Sequence, residues 1–243
     1  MKILVTGSEG SLMQYVIPLL LDNGHEVLGV DNFARYGVIE RERNYDFIKG
    51  DLTDKQFVSD VIKNVDGVIQ AAALIYGVGG FNKYPADILS KDIVLHQNIL
   101  WAMVENNIKK IAYISSSMVY EKCQNHPSSE EDAFSSLIPL TDYGLSKLVG
   151  ERMCMAFSKQ YGLSYVNWRP FNIITPYEKG ENEQGISHVF ADFINNLIIK
   201  KKNPLPIIGN GEQIRCFTWI EDVARVIAEW SFKEETNNQV YNI

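Results

Sequence analysis

The first thirty residues constrain the fold more than any other stretch. Lys2 to Thr6 is an apolar run that ends at Gly7, and apolar residues recur at helical spacing from about Leu12 to Leu21. Asp22, Asn23 and Gly24 then mark a turn, and Glu26 to Val30 is a second β-rich run ending at Asp31. The order is strand, glycine loop, helix, turn, strand. A hairpin would need only a short turn, whereas a unit of about 30 residues with a helix between its strands has the length that a parallel βαβ crossover needs. Parallel strands are covered on both faces, so the rest of the chain has to supply further strands and helices.

It does so in alternation. Apolar runs follow at Phe47 to Ile48, Gly67 to Ala72, Ile108 to Ser115 and Ser164 to Trp168, with helical stretches near Asp54 to Lys63, Ile88 to Asn106 and Tyr143 to Tyr161. This pattern predicts an α/β fold, a Rossmann-type doubly wound parallel sheet, over residues 1–170. After Pro170 the rhythm breaks. Ile173 to Gln184 reads as loop, about Ile186 to Lys200 as helix, Pro206 to Ile208 and Cys216 to Trp219 as short strands, and Glu221 to Ser231 as helix. Residues 171–243 are therefore expected to form a smaller lobe over the sheet's C-terminal edge. The last run, Val240 to Ile243, reads as a strand, with more chain expected beyond it.

Composition narrows the partners. The formal charge is −7 with no basic block, which gives nucleic acid and anionic membranes no large attractive field. No apolar run approaches the roughly 18 to 20 residues that span a bilayer, and no leader pattern precedes the first strand. Cys123, Cys154 and Cys216 are widely spaced without a CxxC, which predicts neither a metal cluster nor a disulfide framework and fits a reducing, cytoplasmic setting. A small-molecule ligand is the expectation.

The first βαβ unit indicates which ligand. Gly7 and Gly10, followed by Ser11 and Leu12, lie where backbone N–H groups and a helix N-terminus can meet a pyrophosphate. Asp31, with Asn32, falls about 20 residues beyond the loop, where a carboxylate accepts hydrogen bonds from ribose hydroxyls and repels a 2′-phosphate. NAD is therefore expected rather than NADP. Asp51 and Leu52, just past the third strand, would flank the adenine, although Asp51 could equally cap a turn. Tyr143 and Lys147 stand four apart on one helix face, so an ammonium near a phenol is expected to favour the phenolate, a general base. Ser115, Ser116 and Ser117 close the strand that precedes that helix, and Ser116 is placed to hold a reacting hydroxyl.

These residues resemble the extended short-chain dehydrogenase/reductase family, in its nucleotide-sugar epimerase and dehydratase branch, with UDP-glucose 4-epimerase-like members. The TGxxGxxG loop appears as Thr6 to Met13, with Met13 replacing the last glycine; Tyr143 and Lys147 form YxxxK; and Ser115 to Tyr120 match SSxxVY, with Ser116, four residues before Tyr120, at the catalytic serine. The resemblance implies NAD as cofactor, a nucleotide-diphosphate sugar as substrate and a homodimer formed through the helices near Ile88 to Asn106 and Tyr143 to Tyr161, whose apolar faces could equally cover the sheet. It also implies that Ala71, Ala72 and Ala73 line the nicotinamide ribose, that Asn172 of RPFN contacts substrate, and that Arg215 of GNGEQIRCF grips its diphosphate. A surface ion pair of Arg215 with Glu212 or Glu221 is the structural alternative. Asp92 replaces the asparagine of NxxGT, and no role is carried over to it.

Met118 narrows the reaction. The related dehydratases carry an acid in this neighbourhood and GDP-fucose synthase a cysteine, each moving protons at sugar carbons, whereas a thioether neither donates nor accepts that proton. His188 then has no partner for such chemistry and reads as a solvent-facing or capping residue. Hydride chemistry at a single alcohol is left, and the Asp31–Asn32 pair resembles the 4-epimerases. An NAD(P)H-dependent 4-keto-sugar reductase and a non-catalytic NAD-binding regulator are the alternatives.

Overall fold

The computed structural model describes residues 1–35, 37, 38 and 40–243. The chain runs β1 (Lys2–Thr6), α1 (Met13–Asp22), β2 (Glu26–Asp31), β3 (Asp46–Lys49), α2 (Lys55–Val61), β4 (Gly67–Gln70), α3 (Val78–Lys83), α4 (Pro85–Glu105) and β5 (Lys110–Ile114). It continues through α5 (Asp132–Ser135), α6 (Asp142–Tyr161), β6 (Ser164–Arg169), β7 (Ile173–Ile174), α7 (Val189–Phe193), β8 (Thr218–Trp219), α8 (Ile220–Trp230) and β9 (Gln239–Asn242).

Seven strands form one sheet in the order β3-β2-β1-β4-β5-β6-β9, and every neighbouring pair is parallel. Side chains alternate between its faces. Leu4, Ile111 and Tyr113 pack on one side with Val58 of α2, Ile99 and Met103 of α4 and Cys154 of α6. Ile3, Val5, Ala112 and Ile114 pack on the other with Val16, Ile17 and Leu20 of α1 and Val223 and Ile227 of α8. The helix ends follow from local chemistry. The Asp54 carboxylate accepts the N–H groups of Gln56 and Phe57 at the start of α2, Thr141 Oγ1 accepts the Gly144 N–H at the start of α6, and α6 stops at Gly162, whose φ of 72° suits glycine.

The segment after residue 170 departs from expectation in three places. Ile173–Ile174, expected in a loop, pairs in parallel with Thr218–Trp219. The expected helix from Ile186 starts only at Val189, because the chain before it is held to the start of α3: Gly77 N–H donates to Ile186 O (2.7 Å) and Gly79 N–H to Gly185 O (2.9 Å); beyond Phe193 it winds as a π-helix over Ile194–Ile199. Pro206 to Ile208 forms no strand. From the segment expected as the smaller lobe, α8 packs against α1 and β9 pairs with β6, so both join the main sheet. The α8 residues Ile220, Val223, Ala224, Ile227 and Ala228 are all buried, the stripe a helix needs to cover a sheet face. No helix among the described residues is long and apolar enough to cross a membrane.

Candidate functional site

All seven strands point the same way, so everything that follows a strand's last residue gathers at one edge. There the structure opens a cavity of about 1680 Å³. A pocket for one drug-sized ligand is roughly 300–1,000 Å³, so this one has room for two. Its walls include the glycine loop, Asp31, Asp51, Ala71 to Ala73, Ser116, Tyr143, Lys147, Asn172 and Arg215.

One end is a cradle of main chain. Gly7 has φ of 65°, and a Cβ there would lie 2.9 Å from Ala72 Cα, so glycine is required by both conformation and space. Gly10 N–H closes the loop onto Gly7 O at 2.9 Å. Leu12 precedes α1 without any side-chain cap; Gln14 and Tyr15 N–H already donate to Gly10 O (3.2 Å) and Leu12 O (3.1 Å), so the N–H groups facing an anion are those just ahead of them, at Ser11, Leu12 and Met13. Met13 is buried in the core and opens α1 where the motif's last glycine was expected. Thr6 Oγ1 accepts the N–H groups of Ala71 (3.1 Å) and Ala72 (3.2 Å), tying the β1 and β4 ends together.

Asp31 stands at the tip of β2 and accepts N–H bonds from Phe33 (2.7 Å) and Glu9 (3.0 Å). Burial raises its pKa while those two bonds pull it down, with a net upward shift. Asn32 Oδ1 accepts the Ala34 N–H at 2.9 Å, a local turn. Asp51 likewise accepts from the Thr53 N–H and hydroxyl, both at 2.9 Å, the turn role weighed for it, while it still faces the cavity. Leu52 is buried in the core beside it.

At the middle of the cavity Ser116, Tyr143 and Lys147 come together. Ser116 Oγ accepts the Met118 N–H at 3.1 Å and lies in hydrogen-bonding reach of the Tyr143 hydroxyl. Its neighbour Ser115 is occupied elsewhere, donating to Glu151 at 2.5 Å. Lys147 Nζ donates to Ile114 O at 2.8 Å and lies 5.7 Å from the Tyr143 ring centre. Tyr143 stacks on Phe81, centroids 4.7 Å apart. The expected lowering of the phenol pKa is not what the protein alone produces. Burial pushes Tyr143 up, the Ser116 bond opposes this, and the charge of Asp92 adds to the rise. Burial also pushes Lys147 down, against the pull of Asp92 and Glu151. Desolvation outweighs pairing because both groups are almost fully enclosed.

At the other end, Asn172 Nδ2 donates to Cys216 O at 3.1 Å and so anchors the loop that carries Arg215. Arg215 is exposed, bonds the carbonyl of Ile214 at 2.8 Å, and pairs with neither Glu212 nor Glu221 among the described residues. His188 faces solvent with Nδ1 2.7 Å from Glu178, at the N-terminal boundary of α7.

Sequence reading missed three supports of this site. Asp92 is buried beside it and accepts the Leu74 N–H (3.0 Å) and the Ser146 hydroxyl (3.4 Å). Glu151 and Arg169 form a fully buried ion pair beneath Ser115. His96, behind Lys147, contacts Gly150 O through Nε2 (3.1 Å) and lies against Tyr113, while its Nδ1 is buried without a partner. A charged residue closing a strand run, Arg169 after the apolar Val166 and Trp168, was the available signal for the ion pair.

His96 yields a pH prediction. Burial lowers its pKa from 6.5 to about 4, with the Gly150 contact opposing and Lys147 assisting. Between those values the unfolded chain binds the proton first, so stability is full above pH 6.5 and falls as the pH drops toward 4. The loss is about 3 kcal/mol across the window. Urea titrations at several pH values should show this slope, and His96→Gln should flatten it; an equal slope in both proteins would contradict it.

Comparison with known proteins agrees with this architecture. A putative UDP-glucose 4-epimerase of Methanocaldococcus jannaschii is 30% identical over 92% of this chain and 71% of its own length. The solved UDP-N-acetylglucosamine 4-epimerase of Methanobrevibacter ruminantium, in complex with UDP-N-acetylmuramic acid, superposes with a TM-score of 0.85 at 30% identity, covering 100% of this chain and 76% of that one. The UDP-glucose 4-epimerase of Thermus thermophilus in complex with NAD gives a TM-score of 0.84 at 25% identity, with 100% and 77% covered. The family model described as "NAD dependent epimerase/dehydratase family" matches residues 3–243, and with that match the chain belongs to this family.

Proposed function

We propose that this protein interconverts C4 epimers of a nucleotide-diphosphate sugar, with NAD as a recycled cofactor. The observation that carries the reading is the meeting, in one cavity, of a main-chain cradle and of Ser116, Tyr143 and Lys147, with the thioether of Met118 beside them. The cradle fits a dinucleotide. Gly7, Gly10 and the N-terminus of α1 at Ser11 and Leu12 would hold its phosphates, Asp31 and Asn32 the adenosine ribose, Asp51 and Leu52 the adenine side, and Ala71 to Ala73 the nicotinamide side. When bound, the oxidised dinucleotide supplies a hydride acceptor and a positive charge in the cavity.

The chain's own residues do the rest. Tyr143 takes the proton of the sugar hydroxyl and returns it, Ser116 orients that hydroxyl, and Lys147 supports the phenolate. Burial raises the Tyr143 phenol above its ordinary value in the protein alone, and a positive charge bound beside it would favour the phenolate. Arg215, exposed at the cavity's far end, would hold the diphosphate in a planar fork, with Asn172 contacting substrate from the same loop pair. Neither proton donor nor acceptor stands at Met118 to act on a sugar carbon. The homodimer belongs to this proposal: α4 and α6 pack together and leave Val94 and Trp101 partly exposed on their outer side.

A panel of 4-hydroxy nucleotide sugars, incubated with the protein and substoichiometric NAD, tests the reading. Formation of C4 epimers is expected. Reduction of a 4-keto sugar only, with added NADH or NADPH, would replace it with a reductase, and binding without conversion with a regulator.

A further inference from the structure

Glu9 stands inside the glycine loop, between Gly7 and Gly10, where the phosphates of a dinucleotide have to approach. Its carboxylate is 3% exposed and pairs with Arg41 Nη2 at 2.7 Å and Arg43 Nη2 at 3.0 Å. Arg43 Nε adds a second bond at 3.0 Å and the Tyr45 hydroxyl a third partner at 2.7 Å. Burial works to raise the Glu9 carboxyl, but Arg43, Tyr45 and Arg41 more than offset it. The main-chain N–H of the same residue donates to Asp31 Oδ2. One residue thus joins the ribose-side acid to two guanidinium groups.

Arginine is the side chain best shaped to grip a phosphate, and residues 32–45, which follow Asp31, carry three. Each is directed onto an acid. Arg35 pairs with Glu181 at 2.7 Å, and Arg41 and Arg43 share Glu9. Lys49, at the end of β3, lies over the Phe33 ring at 5.8 Å.

We propose that Glu9 is a second determinant of dinucleotide choice: by holding Arg41 and Arg43 on its own carboxylate beside Asp31, it withholds them from a ribose 2′-phosphate. The inference rests on the reading that the cradle takes NAD with its adenosine ribose at Asp31. Asp31 repels the added phosphate, and Glu9 removes the cations that would attract it.

Calorimetric titration of the full chain with NAD and NADP tests this. Glu9→Gln should raise NADP affinity relative to NAD by about tenfold or more, the worth of a charge-assisted phosphate contact. The gain should vanish when Arg41→Ala and Arg43→Ala are added. An unchanged ratio in Glu9→Gln, with NAD still bound, overturns the inference. So does a gain that survives loss of both arginines, because the carboxylate's own repulsion would then be the cause. If circular dichroism shows Glu9→Gln unfolded, Arg41→Gln and Arg43→Gln are made with Glu9 in place. The ratio should then stay constant, and a tenfold loss of NADP affinity relative to NAD would show that the arginines already serve the phosphate. Failure of the unaltered protein to bind either dinucleotide would refute the site reading itself, and this inference with it.

Discussion

Tyr143→Phe is expected to lower turnover by about 10²–10⁴-fold, the range for loss of a positioned acid–base group, while dinucleotide affinity and melting temperature stay close to those of the unaltered chain. The ring that stacks on Phe81 and completes the cluster with Ile88 remains, and only the hydroxyl near Ser116 is lost. Steady-state rates and calorimetry on the same preparation separate the two effects. Activity within a few-fold of the original would remove Tyr143 from the proton-transfer role, and loss of dinucleotide binding would place it in the cradle instead.

The second large effect concerns stability. Arg169 and Glu151 are both 0% exposed and form a bidentate pair at 2.6 and 2.8 Å. Ser115 donates to the same carboxylate, and Arg169 also reaches the Tyr120 hydroxyl at 2.5 Å and Glu130 O at 2.7 Å. Tyr120 in turn donates to Asn242 of the edge strand at 2.7 Å. Glu151→Ala leaves a buried guanidinium without its carboxylate, at a cost of about 3–5 kcal/mol, or roughly 10 °C in melting temperature for a chain of this size. Calorimetric melting of this variant beside Lys91→Ala, which breaks an exposed pair with Asp87, should show a large fall in the first and none in the second. Equal melting temperatures for Glu151→Ala and the unaltered chain would contradict the account. A double replacement, Glu151→Leu with Arg169→Met, should recover part of the loss, because no buried charge is then left unpaired.

How far the sequence foretells this molecule depends on where the information resides. Strands β1, β2, β5 and β6 and helices α1, α4 and α6 were legible because each is a periodic stretch bounded by turn residues, and the glycine loop and Asp31 follow from their order. Ser116, Tyr143 and Lys147 were legible as a group because they sit at fixed places on the strand and helix that the pattern defines. After residue 170 the local signal fades. The two-residue strand Ile173–Ile174 exists only because Thr218–Trp219 comes alongside it, and the late start of α7 follows contacts of Gly185 and Ile186 to Gly79 and Gly77 about a hundred residues earlier. The same holds for Glu9, Asp92, His96 and the Glu151–Arg169 pair, whose partners are distant in sequence. The pKa of Tyr143 was misjudged for a related reason. Spacing on a helix reveals the nearby ammonium, but not the full burial that outweighs it.

The central claim is that one hydride leaves C4 of the sugar and returns to the same carbon. A nucleotide sugar carrying deuterium at C4, incubated with the protein and unlabelled NAD, tests it most directly by NMR and mass spectrometry of the product. The account predicts an epimerised product with deuterium retained at C4 and no net change in NADH. An epimer that has lost its C4 label to solvent or to the free dinucleotide pool, or formation only with stoichiometric reduced cofactor, would contradict it.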